Sequence, residues 1–151
     1  MAIRNLRSWD DSIFRKKSKT VEKFDESLCN LLDDMYDTLV KAGGYGCAAV
    51  HVGFLKRVVI VNDADGVIEL INPVITEASE ETQEVMEGSI APGSPRGMTV
   101  MRPQSVTVKA FDRNGNEITV KGNGFLAATY PHEIDHLDGI IFTDKANKTE
   151  A

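Results

Sequence analysis

Near the end of the chain, His132-Glu133-Ile134-Asp135-His136 sets two histidines four residues apart, a spacing that brings both imidazoles to one face only if the segment is a helix. No other feature constrains the fold as strongly, because the residues before it carry a different period. Short runs rich in β-branched residues occupy Arg57 to Val61, Val67 to Ile71, Val74 to Thr76, Ser105 to Phe111 and Ile118 to Lys121. Asp63-Ala64-Asp65-Gly66 and Asp112-Arg113-Asn114-Gly115-Asn116 lie between pairs of these runs and tolerate left-handed backbone, so each predicts a hairpin. Upstream, Leu28, Leu31, Leu32, Met35 and Leu39 recur at spacings of three and four, which predicts a helix from Asp25 to about Ala42. Asp25 suits its N-cap, Phe24 can pack onto Cys29, and Gly43-Gly44 stops it. Asn123-Gly124 opens the last helix, which runs to about Leu137 and carries the histidines. Helix, antiparallel strands, then helix is the order of an α+β domain.

The 151 residues suit a single domain, 1–151, with no repeats or linker-like stretches. A net charge of -6 and a sequence pI near 5.1 speak against a broad grip on nucleic acid, which needs clustered cations. The only basic run, Arg15-Lys16-Lys17 with Lys19, reads as solvated surface. The first residues carry Arg4, Arg7 and acidic groups with no apolar stretch behind them, so neither a signal peptide nor a membrane span is expected. A cytoplasmic location follows, with Cys29 and Cys47 as free thiols.

Three segments carry chemistry. Two of the three histidines in the chain sit in the helical pentapeptide. On one face they can hold a metal ion, with Glu133 placed as general base toward a water at that ion. The plainer alternative is an amphipathic helix whose histidines face solvent or make hydrogen bonds. The second segment, Gly43-Gly44-Tyr45-Gly46-Cys47-Ala48-Ala49-Val50-His51-Val52-Gly53, allows close backbone approach to a ligand, or is simply a helix stop and a tight turn. No Gly-Lys-Ser/Thr follows, which argues against a phosphate loop. His51 on its own reads as a hydrogen-bonded, half-buried residue. The third segment, Glu87-Gly88-Ser89-Ile90-Ala91-Pro92-Gly93, reads alone only as a loop with a turn at its end.

Together, in this order and spacing, the three segments resemble the signature motifs of the peptide deformylases. The likeness extends over nearly the whole chain, through Ala2-Ile3-Arg4-Asn5, Phe14-Arg15-Lys16-Lys17-Ser18, Leu55-Lys56-Arg57-Val58-Val59 and Glu69-Leu70-Ile71-Asn72-Pro73 to His136-Leu137-Asp138-Gly139-Ile140-Ile141-Phe142. It implies an α+β fold in which antiparallel β-sheets pack around a central helix carrying His-Glu-x-x-His. It also implies one divalent metal, Fe(II), Zn or Ni, and an activity that removes the formyl group from the N-terminal formylmethionine of new proteins. The implied partners are formylated peptide N-termini, with neither nucleic acid nor membrane.

The family's motifs read Gly-x-Gly-x-Ala-Ala-x-Gln, Glu-Gly-Cys-x-Ser and His-Glu-x-x-His. Here the third is intact, but His51 stands at the glutamine, Ser89 at the cysteine, Ala91 at the closing serine, Val50 before His51 and Pro131 before His132. The resemblance then implies His132, His136 and Ser89 as metal ligands and Glu133 and His51 as catalytic groups. Gly44, Gly46 and Ile90 would lie along the bound peptide. A serine hydroxyl is a weaker ligand than a thiolate, and losing an oxyanion donor such as the glutamine costs on the order of a hundred- to a thousandfold in rate. Reduced or altered activity is therefore expected. Pro131 predicts a kink before His132 because it crowds the carbonyl of Ala127. His51 is a second candidate for the missing ligand, giving a three-histidine site. The alternatives in function are a non-catalytic relative that binds peptide N-termini or a partner, and a hydrolase for another amide or ester.

Overall fold

The computed structural model describes residues 2–146. Helix α1 spans Glu26–Ala42, and the Asp25 carboxylate caps it by accepting from the Leu28 amide at 3.1 Å. Gly43, at φ 70°, closes it in the left-handed conformation that only glycine takes without strain. The strands are β1 (Gly46–Ala48), β2 (Val58–Asp63), β3 (Gly66–Ala78), β4 (Thr82–Glu87), β5 (Met98–Pro103), β6 (Ser105–Phe111) and β7 (Glu117–Asn123), followed by helix α2 (Phe125–Leu137). Five strands form an antiparallel sheet in the order β1-β2-β3-β6-β7, and β4 pairs with β5 in a separate ribbon.

The β2 run Val58-Val59-Ile60-Val61 is apolar at every position because its strand is covered on both faces. Val58 and Ile60 pack with Leu28, Leu32, Met35 and Leu39 of α1. Val59 and Val61 face the other way and join Ala127, Tyr130, Ile134 and Leu137 of α2. The sheet is thus sandwiched between an amphipathic helix and a helix enclosed on nearly all sides. On α2, ten residues from Ala127 to Leu137 are buried, Pro131 among them.

Both hairpins form where the turn residues predict them, joining β2 to β3 and β6 to β7. Two expectations need correction. The runs Val67 to Ile71 and Val74 to Thr76 belong to one strand, β3, whose register skips between Ile71 and Val74. The skip falls where Pro73 offers no amide hydrogen and Asn72 adopts φ 53°, its side chain bonding the backbone of Val21 at 2.8 and 3.0 Å. Strands β1, β4 and β5 were not expected from the sequence. Pro131 lies inside α2, which runs on to Leu137 as expected because burial around the helix outweighs one missing backbone bond. Among the described residues no helix is long and apolar enough to cross a membrane.

Candidate metal centre

Three segments meet beside β1. Helix α2 supplies His132, Glu133 and His136, the 3-10 turn Ala49–Val52 supplies His51, and the loop after β4 supplies Ser89. All three histidines and Glu133 are buried. The His51 and His136 rings lie 4.6 Å apart between centroids, and the His132 and His136 rings 5.4 Å. Ligand-bearing atoms of His51, Glu133 and His136 all fall within 4.8 Å of one another.

His132 is oriented by an ionic chain that the sequence did not disclose. Its Nδ1 lies 2.7 Å from Glu87 Oε1, which fixes Nδ1 as the donor and leaves Nε2 free to face the centre. Arg102 grips the Glu87 carboxylate through Nε at 2.7 Å and Nη2 at 2.8 Å, and holds Asp135 through Nη1 at 3.0 Å. Burial alone would raise the Glu87 pKa, but the bonds from Arg102 and His132 outweigh it and bring it to about 2. Burial likewise opposes charge on His132, yet Glu133 and Glu87 together raise its pKa. Arg102 and Asp135 are therefore part of the site's support. The only sequence signals for them were an arginine in an unassigned segment and a position inside the histidine pentapeptide.

Two neighbouring groups are less well satisfied. Among the described residues, both ring nitrogens of His136 and Oε1 of Glu133 are buried without a hydrogen bond. Burial pushes His136 well below the ordinary histidine value, so its ring is neutral with a free lone pair. Burial also raises Glu133 to about 7, an effect that the His132 charge partly offsets. A fully enclosed imidazole with nothing to bond is costly, and a cation would satisfy it. The donor set therefore fits a divalent metal.

His51 is fully buried rather than half-buried as read from sequence. Its Nδ1 accepts from the Ala48 amide at 3.0 Å and lies 3.3 Å from the Ala48 carbonyl oxygen. Its Nε2 lies 3.2 Å from Ser89 Oγ, which also accepts from the Ala91 amide at 3.1 Å. Burial, and then the His132 charge, depress the His51 pKa to about 3.

A groove of about 560 Å³ opens onto these groups. Gly44, Gly46, Ser89, Ile90, His132 and Glu133 line it, as do Ala128 and Thr129. A Cβ on Gly46 would lie 2.6 Å from Glu133 Oε2, so only glycine lets β1 pass this close to the carboxylate. A Cβ on Gly44 would collide with the Ile90 side chain. At the rim the exposed rings of Tyr45 and Phe125 meet edge to face at 4.9 Å.

Comparisons with known proteins place the chain in a family. The sequence model of one family, described as polypeptide deformylase, matches residues 3–151. The chain is 52% identical over 145 residues to the peptide deformylase of Caldicellulosiruptor bescii, covering 96% of this chain and 86% of that one. It is 49% identical over 145 residues to the peptide deformylase of Acetivibrio thermocellus, covering 96% and 84%. Among solved structures, peptide deformylase from Thermotoga maritima superimposes with a TM-score of 0.93 at 29% identity, covering 97% of this chain and 99% of that one. The Ehrlichia chaffeensis enzyme in complex with actinonin gives 0.92 at 35% identity, covering 99% and 92%. Matching over almost its entire length in sequence, in fold and in the helix that bears His132 and His136, the chain belongs to the polypeptide deformylase family.

Proposed function

We propose that this chain is a divalent-metal peptide deformylase, hydrolysing the N-formyl group of formylmethionine at the start of new proteins to formate and a free amine. The reading is carried by buried His136 and by Glu133 at the wall of an open groove: among the described residues neither ring nitrogen of His136 nor Oε1 of Glu133 has a hydrogen-bond partner. His132 and His136 hold the metal, and the outer partners Glu87 and Arg102 keep the His132 ring in its ligating tautomer. When bound, Fe(II), Zn or Ni supplies Lewis acidity to the formyl oxygen and to a water molecule.

The protein's own groups do the rest. Glu133 takes a proton from the attacking water and returns it to the departing amine, and its burial, which favours the protonated form, helps it hold that proton between the two transfers. The Ile90 amide hydrogen bonds the oxyanion as it forms. The third protein ligand and a further hydrogen-bond donor come from Ser89 and His51. The peptide lies along β1, an edge strand with an unpaired side, beside Gly44 and Gly46, so backbone bonding there needs no particular side chain on the substrate. Formylated N-termini arise in the cytoplasm, where we place the protein.

Ser89 favours a slower enzyme or one with a shifted metal preference, since its oxygen is a weaker ligand than a thiolate and already accepts from the Ala91 amide. The test is anaerobic loading with Fe(II), Zn or Ni, followed by turnover of a formyl-Met peptide by wild type and Glu133→Ala. Formate release by wild type that is lost in Glu133→Ala is expected. A wild type that binds metal yet is silent with every one of the three would leave the non-catalytic, peptide-binding reading.

A further inference from the structure

We infer that His51 and Ser89 have exchanged the roles of the residues they replace. His51 Nε2 completes a three-histidine metal site with His132 and His136, and the Ser89 hydroxyl becomes the hydrogen-bond donor to the reacting carbonyl oxygen. The inference rests on the reading that His132 and His136 hold the metal. It goes further in assigning the two positions that differ from the family.

Three observations carry it. The first is the state of Ser89. A neutral hydroxyl has two lone pairs, and Oγ has two hydrogen-bond partners, the Ala91 amide and the His51 ring. With both in place, its hydrogen is the part left to give. An imidazole is also the better ligand for a borderline-soft cation than a protonated alcohol.

The second is position. His51 Nε2 lies 3.2 Å from Ser89 Oγ, so it sits within one ligand spacing of the point where the family's cysteine would bind. For metal–nitrogen bonds of about 2.0–2.1 Å in a tetrahedron, neighbouring ligand atoms stand about 3.3 Å apart, and imidazole centroids about 5 Å apart. The ring separations of 4.6 Å and 5.4 Å bracket that value for the two pairs that share His136, while the ligand atoms already within 4.8 Å of one another are those of His51, Glu133 and His136, so His132 has to close in on loading. The interplanar angles of 71° and 76° keep the rings from stacking on one another.

The third is the surroundings of His51 Nδ1. For Nε2 to offer its lone pair, the ring proton must sit on Nδ1 and find an acceptor. The Ala48 carbonyl oxygen is 3.3 Å away and fills that need. The Ala48 amide, 3.0 Å from the same nitrogen, serves the opposite tautomer, with Nε2–H on Ser89. The ring thus has a backbone partner in either state. Metal loading moves its proton from Nε2 to Nδ1 and frees Ser89 from its ring donor. Once released, the Ser89 hydroxyl takes over the donor function that the family's glutamine performs.

Metal binding separates this from the alternative without reference to turnover. Zn(II) and Co(II) affinities are measured for wild type, His51→Gln, Ser89→Ala and His136→Ala, with circular dichroism confirming folding. His51→Gln restores the family's own residue, whose size fits the site. If the roles are exchanged, His51→Gln weakens metal binding beyond the ten- to hundredfold that loss of an outer partner costs, and Ser89→Ala leaves affinity within about threefold. Nitrogen-15 histidine spectra of the Zn(II) form then show His51 protonated at Nδ1. Weak binding by Ser89→Ala together with tight binding by His51→Gln, or an Nδ1 that stays unprotonated in the loaded protein, overturns the exchange and leaves the His132–His136 site standing. Wild type that binds no metal, or His136→Ala that binds as tightly as wild type, overturns both.

Discussion

Replacing Glu133 by glutamine should stabilise the metal-free protein above neutral pH. The carboxyl is buried with Oε1 unpartnered, and burial lifts its pKa from 4.5 to about 7. An acid whose folded value exceeds its unfolded value favours the native state only while protonated. Below pH 4.5 both states hold the proton and the group has no effect. From there to about pH 7 the unfolded chain ionises while the native site does not, and stability falls. Above that the penalty is constant. At about 1.36 kcal/mol per pH unit it reaches about 3 kcal/mol. Glutamine has the same shape and cannot ionise, so it escapes the penalty. For a domain of this size the gain corresponds to roughly 6–12 °C in Tm. The assay is thermal and urea unfolding of chelator-treated wild type and Glu133→Gln at pH 4 and pH 8, alongside formate release by the loaded proteins. A large gain at pH 8, none at pH 4, and loss of turnover are expected. Equal gains at the two pH values, or none at pH 8, would refute the claim that the base is held at a stability cost.

Other outcomes follow from neighbouring contacts. Gly46→Ala sets a Cβ 2.6 Å from Glu133 Oε2 and forces the carboxylate aside, and a misplacement of this kind should lower kcat about a hundredfold while circular dichroism stays native. Arg102→Met leaves the Glu87 carboxylate buried without its two-pronged partner, which should cost about 3–5 kcal/mol in urea unfolding. Glu87, depressed from 4.5 to about 2, contributes stability that is present above pH 4.5 and lost as pH falls toward 2. Acid unfolding of wild type in that window should therefore be steeper than that of Glu87→Gln.

Elements with strong local chemistry were legible in the sequence. The period of Leu28, Leu32, Met35 and Leu39 marked α1, and two Asp/Gly/Asn turns marked the hairpins. The β4–β5 ribbon was not legible. Thr82–Glu87 is mostly polar with no clean alternation, and its partner begins only at Met98, too far along for a turn signature to join them. The two-stranded ribbon supplies Glu87 and Arg102, so half the support of His132 was hidden with it. His51, Ser89 and the histidine pair were visible as residues. Their mutual arrangement was not, because the hydrogen bond from His51 to Ser89 joins positions 38 apart in the chain.

Ser89 also changes what oxidants can do to this protein. A metal-bound cysteine thiolate is open to stepwise oxidation to sulfenic, sulfinic and sulfonic acids, and a site that relies on one can be destroyed by peroxide. A hydroxyl has no such ladder. Of the two cysteines in the chain, Cys47 is buried against α1, where burial raises its pKa well above the ordinary value and keeps it a poorly reactive thiol. Cys29 lies on α1, in a different element from every residue of the centre. The proposed centre of imidazoles, a carboxylate and an alcohol should therefore withstand peroxide that would consume a thiolate, leaving the redox state of a bound metal as its remaining vulnerability.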